Sequence, residues 1–230
     1  MRGVGPLKAT EIAQFGGKLR RPMTTETKSP PASPAAPLDA PSVAKAPGAP
    51  TAPEEVNTAR LRLSRFRPEQ AGVLAALYAR PEVMRYIVPG GRTPEQSAAA
   101  IARLLKQWDE HGFGAWMVYL RETGAHAGIA MLLREPTGEV EVGYALDQPH
   151  WGQGLATQAA GALVELALVT LGLPGLFARI DPENAPSARV LLRLGFVFAK
   201  GTRGEQGRAT DWYLHAGARG EGARLPPSAE

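Results

Sequence analysis

The most informative segment of the chain is His150-Trp151-Gly152-Gln153-Gly154-Leu155-Ala156-Thr157. A strand-like run from Val140 to Leu146 precedes it. Apolar residues at helical spacing follow it as far as Thr170, and Gly172 ends that run. The pattern predicts a strand, a glycine-bearing loop and the N-terminus of a helix. Such a terminus carries unpaired N–H groups and a partial positive charge, so it suits phosphate. The two glycines let a diphosphate approach the backbone without a Cβ in the way.

Three kinds of phosphate-binding loop can be compared with this stretch. A Walker loop ends in Gly-Lys-Ser/Thr, which the chain lacks. A dinucleotide fingerprint has Gly or Ala where Thr157 stands, and an acidic residue about 20 residues on, near Gly172. The stretch instead resembles motif A of the GNAT superfamily of acetyl-CoA-dependent N-acetyltransferases, Arg/Gln-x-x-Gly-x-Gly/Ala. Trp151 replaces the first residue, which is similar to the ribosomal-protein N-terminal acetyltransferase branch. The alternative is a helix that simply begins at a glycine turn.

A second motif strengthens the resemblance. Asn184-Ala185-Pro186-Ser187, followed by Val190 to Phe196 with Gly-Phe at its end, resembles the other GNAT signature, Asn-x-x-Ser, a short helix and Gly-Phe. The strand Glu139 to Tyr144 and the segment Arg80 to Tyr86 are similar to parts of the ribosomal-protein-alanine branch. The resemblance covers Ala59 to Ala216.

This resemblance implies a GNAT fold of the α/β (α+β) class: a mixed, mostly antiparallel sheet with a split parallel pair in the middle, flanked by about four helices. The split is expected between Val140–Leu146 and Leu176–Ile180, because a helix crossover joins these strands and makes them parallel. Sequence patterns predict strands at residues 60–66, 115–120, 126–133, 140–146, 176–180, 196–198 and 212–214, and helices at 68–80, 94–111, 155–170 and 187–194.

Composition indicates three regions. The chain has 230 residues, 44% of them hydrophobic, which suffices for one domain with a full core. Residues 1–56 are expected to be a disordered tail, since their Pro/Ala-rich part has too few large apolar residues to offset the entropy of ordering. Residues 57–217 are expected to form the acetyltransferase domain and 218–230 a flexible tail. Translation from Met23 rather than Met1 is a further hypothesis.

Several kinds of function are excluded by what the chain lacks. It has no cysteine, and its four histidines show no metal-ligand spacing, so no metal site is predicted. No apolar run is long enough to span a bilayer, and no secretory signal is visible, so a cytoplasmic location is expected. A net charge of +4 is small and scattered, so no nucleic-acid partner is expected. A monomer and a homodimer both remain open.

The resemblance also implies how acetyl-CoA is bound. The loop N–H groups would hold the diphosphate. The strand before the loop would pair with the pantetheine amides like an added strand, and one of its N–H groups would stabilise the charge on the thioester oxygen. The residues implied in cofactor binding are Tyr144, Ala145, Leu146, Gly152, Gln153, Gly154, Leu155, Ala156, Thr157, Asn184 and Ser187.

Three residues are candidates for catalysis. Glu141 is the candidate base, directly or through water; alternatively it is a surface carboxylate in a cross-strand pair, and Glu139 faces the same side. Ser187 is the candidate acid for the departing thiolate, and its alternative role is the N-cap of the short helix. Tyr144 is a second candidate acid, or a core aromatic.

The sequence therefore predicts an enzyme, an acetyl-CoA-dependent N-acetyltransferase. It would transfer an acetyl group to a primary amine, either a protein N-terminus or a small molecule, by direct attack in a ternary complex. One alternative is a catalytically silent acyl-CoA-binding module. Another is a basic accessory protein of the ribosome.

Overall fold

The computed structural model describes residues 48, 50–88, 90–203, 207–217 and 224–227. The predictions made for residues 1–47, including the start at Met23, lie outside these residues. None of the helices within the described ranges is long and apolar enough to cross a membrane.

Eight strands form one sheet in the described part of the chain, in the order β1-β2-β3-β4-β5-β6-β8-β7. The strands are β1 (Glu55–Asn57), β2 (Leu61–Arg65), β3 (Ala115–Leu120), β4 (His126–Arg134), β5 (Val140–Leu146), β6 (Gly175–Ile180), β7 (Val197–Arg203) and β8 (Ala209–Ala216). The helices are α1 (Ala71–Tyr78), α2 (Pro81–Met84), α3 (Pro94–His111), α4 (Leu155–Glu165) and α5 (Ala185–Arg193). Short 3₁₀ turns cover Pro68–Gln70 and Gln148–His150. The predicted fold class is confirmed.

The middle of the sheet is split, as predicted. The strands β3, β4 and β5 form the expected antiparallel meander. The crossover through α4 makes β5 and β6 parallel, and they share a single register pair, Glu141 with Phe177. Beyond this pair the two strands diverge and leave an opening between them.

The helices cover both faces of the sheet. Leu163 of α4 and Leu191 of α5 pack with Val142 on one face. Leu74 of α1 and Ile101 of α3 pack with Ala145 on the other. The alternation of side chains along β5 thus sends every second residue to each helical layer.

Helix α3 has the ends that its sequence predicts. Thr93 is the N-cap and accepts a hydrogen bond from the Gln96 N–H at 3.2 Å. The Gln96 side chain accepts in return from the Thr93 N–H at 3.0 Å, which completes a capping box. Gly112 ends the helix with a φ of 72°, a conformation that glycine adopts without strain.

Residues outside both predicted domain boundaries contact the domain. The boundary between residues 56 and 57 cuts through β1, so the strand predicted as the first is the second. The order extends back to Ala52, which is buried and donates its N–H to the Gly112 carbonyl at 2.8 Å. At the other end, Leu225 packs against Phe177 and Trp212, although residues 218–230 were expected to be flexible. Because these segments are short, their sequences carry no periodic pattern, and contacts with the rest of the domain fix their structure.

Two helix ends also differ from the prediction. The helix expected to reach Thr170 changes to a π-helical turn at Leu166–Thr170. Helix α5 begins at Ala185 rather than Ser187, and Asn184 is its N-cap. The side-chain oxygen of Asn184, Oδ1, accepts a hydrogen bond from the backbone N–H of Ser187 at 3.2 Å. The alternative role of Ser187 as N-cap is therefore wrong.

A chain that begins at Glu54 should be less stable than one that begins at Pro50. It loses the buried Ala52 and the Pro53 carbonyl, which accepts from the Trp116 indole N–H at 3.2 Å. An indole N–H left without a partner costs about 1–3 kcal/mol, so we expect the free energy of unfolding to fall by about 2 kcal/mol. Urea unfolding of the two chains would measure the difference. Equal midpoints would show that this segment does not stabilise the domain.

Candidate active site

A cavity of about 380 Å³ opens at the end of β5, beyond the single register pair of β5 with β6. Its walls come from the end of β5, the loop before α4, one side of α5 along its length and the α2 segment. Of the residues predicted to bind the cofactor, it is lined by Tyr144, Ala145, Leu146, Gly152, Gly154, Leu155, Ala156, Thr157, Asn184 and Ser187. Gln153 and Glu141 are not part of its lining.

The loop before α4 needs its glycines. Gly152 and Gly154 both have a φ of 73°, in the left-handed region that other residues rarely adopt. Gly154 is the N-cap of α4 and supplies no side chain, so the N–H groups of the first turn are open to a ligand. Gln153 points its groups elsewhere: its side chain donates to the Pro149 carbonyl, and its own carbonyl accepts from Arg60 at 2.9 Å.

Thr157 adds a polar group to this helix terminus. Its hydroxyl is buried and has no hydrogen-bond partner among the described residues. A buried hydroxyl without a partner costs free energy, so its position favours a ligand with acceptor oxygens. The open N–H groups and this hydroxyl together fit a phosphate group.

Backbone groups at the end of β5 face the split and are available to a ligand. The Asp147 N–H donates to Ala127 of the neighbouring segment at 2.9 Å. Because successive residues of a strand point their backbone groups to opposite sides, those of Leu146 and Tyr144 face the split. The Leu146 carbonyl already accepts from the Trp151 indole at 2.7 Å, which ties the loop to β5. The backbone of Ala145 faces β4, so this residue meets the cavity through its side chain.

Two hydroxyls face the cavity deeper in the split. The Tyr144 hydroxyl donates to the backbone carbonyl of Ser187 at 3.4 Å. Burial raises the pKa of Tyr144 to about 12, and the hydrogen bond to Ser187 offsets only part of that rise. The Ser187 hydroxyl lines the same cavity and is not engaged by any residue that the structure describes.

The predicted base Glu141 and its neighbour Glu139 are both absent from the lining of the cavity. The carboxylate of Glu141 is paired with the Arg179 guanidinium, with Nε to Oε1 at 3.1 Å and Nη2 to Oε2 at 2.5 Å. Glu139 lines a separate cavity of about 510 Å³, and its carboxylate accepts from the Thr137 hydroxyl. Glu82 of α2 is the only acidic residue among the described residues that line the first cavity.

Sequence reasoning missed Glu82 and two arginines. Arg189 and Arg193 of α5 line the cavity, and neither forms an ion pair with another part of the chain that the structure describes. Their spacing of four residues on one helix places both on one face, which is the signal that could have found them. Glu82 lies in the segment Arg80 to Tyr86, where the resemblance assigns no role to any single residue.

The segment after α2 is held over the cavity by Arg208. Its guanidinium donates to the backbone carbonyls of Tyr86 and Ile87, both at 2.5 Å. Arg208 also approaches Asp181 at 3.8 Å, at the start of the loop that leads to α5. One side chain thus joins both walls of the opening.

The described residues contain no cluster of three or more His, Asp or Glu side chains that would hold a metal ion. The polar groups of the residues that line the cavity are backbone N–H groups, hydroxyls, the Asn184 amide, the His150 imidazole, two guanidinium groups and one carboxylate.

Comparison with known proteins identifies the class. Residues 60–197 match the family model described as the acetyltransferase (GNAT) domain, so the split sheet and its loop are those of an acyltransferase. The chain belongs to the GNAT acetyltransferase family, and the prediction of an N-acetyltransferase is thereby confirmed.

Individual relatives agree with this family. The chain is 29% identical over 146 residues to Uncharacterized N-acetyltransferase p20 of Bacillus licheniformis, covering 62% of this chain and 82% of that protein. It is 28% identical over 153 residues to the FsC-acetyl coenzyme A-N(2)-transacetylase of Aspergillus fumigatus, covering 62% and 64%. The crystal structure of the acetyltransferase from Agrobacterium tumefaciens superposes with a TM-score of 0.62 at 28% identity, covering 70% and 93%. A ribosomal L7/L12 acetyltransferase solved with coenzyme A has a TM-score of 0.62 at 15% identity, covering 71% and 98%, and shares the fold.

Proposed function

We propose that this protein transfers the acetyl group of acetyl-CoA to a primary amine by direct attack in a ternary complex. The observation that carries the proposal is the continuity of the cavity. One end is the open N-terminus of α4, which suits phosphate, and the same space reaches the hydroxyls of Tyr144 and Ser187.

The acyl donor fits the groups along this path. The N–H groups of Gly154 and its neighbours, with the Thr157 hydroxyl, would hold the diphosphate. The unpaired guanidinium groups of Arg189 and Arg193 would attract the remaining phosphate charge. The β5 edge would pair with the pantetheine amides, as predicted for an added strand. The thioester supplies the activated acetyl group.

Hydroxyl donors would stabilise the departing thiolate. A thiol has a pKa of about 8.5, and that of Tyr144 is raised to about 12. Complete proton transfer from Tyr144 would thus be uphill by about 3.5 pKa units, or about 5 kcal/mol. A hydrogen bond to the thiolate from Ser187, with Tyr144 beside it, is the better account of this acid role.

Glu82 is the proposed base. It shares the cavity with both hydroxyls, whereas Glu141 is occupied by Arg179 and Glu139 lies elsewhere. A peptide α-amine, with a pKa of about 8, needs less assistance than a lysine amine with a pKa of about 10.4. Glu82, directly or through water, would remove the proton as the amine attacks.

Two classes of amine are candidates for the acceptor. Resemblance to the ribosomal-protein-alanine branch favours a protein N-terminus, and one solved structure with this fold is described as a ribosomal-protein-S5-alanine acetyltransferase. A small-molecule amine is the other class, and one relative, from Aspergillus fumigatus, is named FsC-acetyl coenzyme A-N(2)-transacetylase rather than as a ribosomal-protein acetyltransferase.

A second function remains a candidate because of one observation. The carboxylate predicted as the base, Glu141, is held by Arg179. An acyl-CoA-binding module without catalytic activity would need the cavity but no free base.

An acetylation assay tests these proposals. The protein is given acetyl-CoA with Ala- and Ser-initiated peptides, polyamines and amino acids, and CoA release and acetylated product are both measured. We expect turnover with at least one acceptor and a fall in kcat of about 10²-fold for Glu82→Gln, the scale of a lost general base. Glu139→Gln, a carboxylate outside the cavity, serves as the matched control and should behave like the parent.

The other outcomes are equally informative. CoA binding by calorimetry without turnover of any acceptor would favour the silent module. Absence of CoA binding would contradict both functions. Unchanged kcat in Glu82→Gln would exclude Glu82 as the base.

A further inference from the structure

The point where β5 and β6 part is weakly held by the backbone. β5 pairs with β4 along its whole length, from Val140 to Leu146, and β6 pairs with β8 from Gly175 to Ile180. Between β5 and β6 there is only the register pair of Glu141 with Phe177. Each strand is thus tied firmly to its outer neighbour, and backbone bonds do little to set the width of the gap between them.

Side chains bridge the gap at this same point. Arg179 of β6 reaches Glu141 of β5 through Nε at 3.1 Å and Nη2 at 2.5 Å, a two-bond fork with a defined geometry. The same Nη2 lies 2.9 Å from Glu135, in the turn before β5. Arg103 of α3 approaches Glu135 at 3.5 Å. The network therefore connects both strands of the split to the helical layer.

The two carboxylates of the network are shielded from water, although the Arg179 side chain is 35% exposed. The side chains of Glu141 and Glu135 are 13% and 8% exposed, so water screens them poorly. The Arg179 guanidinium lies over the rings of Phe177 and Trp212, at 5.7 and 5.5 Å from their centroids. Burial alone would lower the pKa of Arg179, but the two carboxylates outweigh it and raise the pKa above its usual value.

This arrangement favours a structural role for Glu141 over a role in proton transfer. Both oxygens of Glu141 accept from Arg179, and the residue is absent from the lining of the cavity. If Glu141 took up a proton, it would lose one of its two hydrogen bonds with Arg179.

We propose that the Glu141–Arg179 pair is a clasp that sets the width of the split between β5 and β6. Glu141 is then a positioning residue, which acts through Arg179 on the space where the acyl donor binds. The inference rests on the proposed function, because the donor that enters the split is taken to be acetyl-CoA. Opening the clasp lets the gap vary, so the donor is held less well while the reacting groups stay in place.

The test is a double-mutant cycle in the full-length protein with Glu141→Gln, Arg179→Met and the double variant. We expect each single variant to raise the KM for acetyl-CoA by about tenfold, which corresponds to about 1.4 kcal/mol. The KM of the double variant should be no higher than that of the more impaired single variant, because the two residues act as one unit. The kcat and its dependence on pH should stay those of the parent. Glu139→Gln, on the same side of the sheet but outside the network, is the matched control.

Arg179→Lys is included in case Arg179→Met misfolds, because in Arg179→Met the Glu141 carboxylate loses its partner and Glu135 keeps only the contact with Arg103. The lysine keeps the charge without the fork, so its KM should lie between those of the parent and Arg179→Met. Thermal melts identify which variants are folded and can be compared.

Three results would overturn the clasp. One is a kcat loss of about 10²-fold in Glu141→Gln with an altered pH profile while Arg179→Lys keeps its kcat, since this is the behaviour of a base. The others are additive effects in the cycle and a KM unchanged in every variant. CoA titration of the parent separates the two proposals: a parent that does not bind CoA contradicts the proposed function, whereas a normal parent with neutral variants contradicts the clasp alone.

Discussion

Gly154→Val should raise the Kd for CoA by at least about 100-fold, or about 2.7 kcal/mol, while affinity for pantetheine changes by no more than about threefold. The residue has a φ of 73° at the N-cap of α4, where a branched side chain is strained and would stand where the diphosphate must approach. Hydrogen bonds to charged groups contribute about 1.5–3 kcal/mol each, so losing two of them accounts for the effect. Glycine has no side chain, and hence no catalytic group is removed.

The control for this variant is Gly172→Val. Gly172 has a φ of 63°, an added Cβ there meets nothing within 4 Å, and the residue does not line the cavity. Its substitution imposes a similar backbone strain without affecting the loop. We therefore expect both variants to melt at lower temperature and only Gly154→Val to lose CoA affinity. Calorimetric titration with CoA and with pantetheine measures this, and CoA affinity equal to that of the parent would mean that the loop does not bind the diphosphate.

Ser187→Ala should lower kcat by about 10²-fold, the effect of removing one donor to developing charge, and leave the KM for acetyl-CoA nearly unchanged. The structure makes this variant a clean test. The N-cap of α5 is Asn184, which accepts from the backbone N–H of Ser187, and alanine keeps that bond. The loss of stability should thus stay within about 0.5 kcal/mol.

Tyr144→Phe is the companion variant, because it removes the other hydroxyl from the same cavity. Its hydroxyl is already bonded to the Ser187 carbonyl, and its high pKa opposes proton transfer. We expect a smaller fall in kcat, about tenfold. Steady-state kinetics with thermal melts would decide, and a kcat that survives Ser187→Ala but falls in Tyr144→Phe would assign the donor to Tyr144.

Structural elements that depend on residues close together in the chain could be predicted from sequence. The capping box of Thr93 and Gln96 involves residues three positions apart, and Gly112 ends the helix through its own backbone. The alternation in β5 and the two glycines before α4 are equally local. The order of these elements then required β5 and β6 to be parallel, since a helix joins them. The two motifs identified the loop before α4 and the start of α5 as parts of the site, and residues of both segments line the cavity.

The contacts of the polar side chains could not be predicted in this way, because they depend on how distant elements pack together. Glu141 lies on the predicted strand, but its partner Arg179 is 38 positions away and meets it across the split. Glu82 comes to the cavity because α2 packs near the end of β5, which no periodicity reveals. The same reason explains β1, where the single apolar residue Val56 gives no pattern and pairing with β2 supplies the order. Spacing along the chain fixes caps, turns and strand alternation, whereas the partner of a charged side chain is fixed by which elements the sheet brings together.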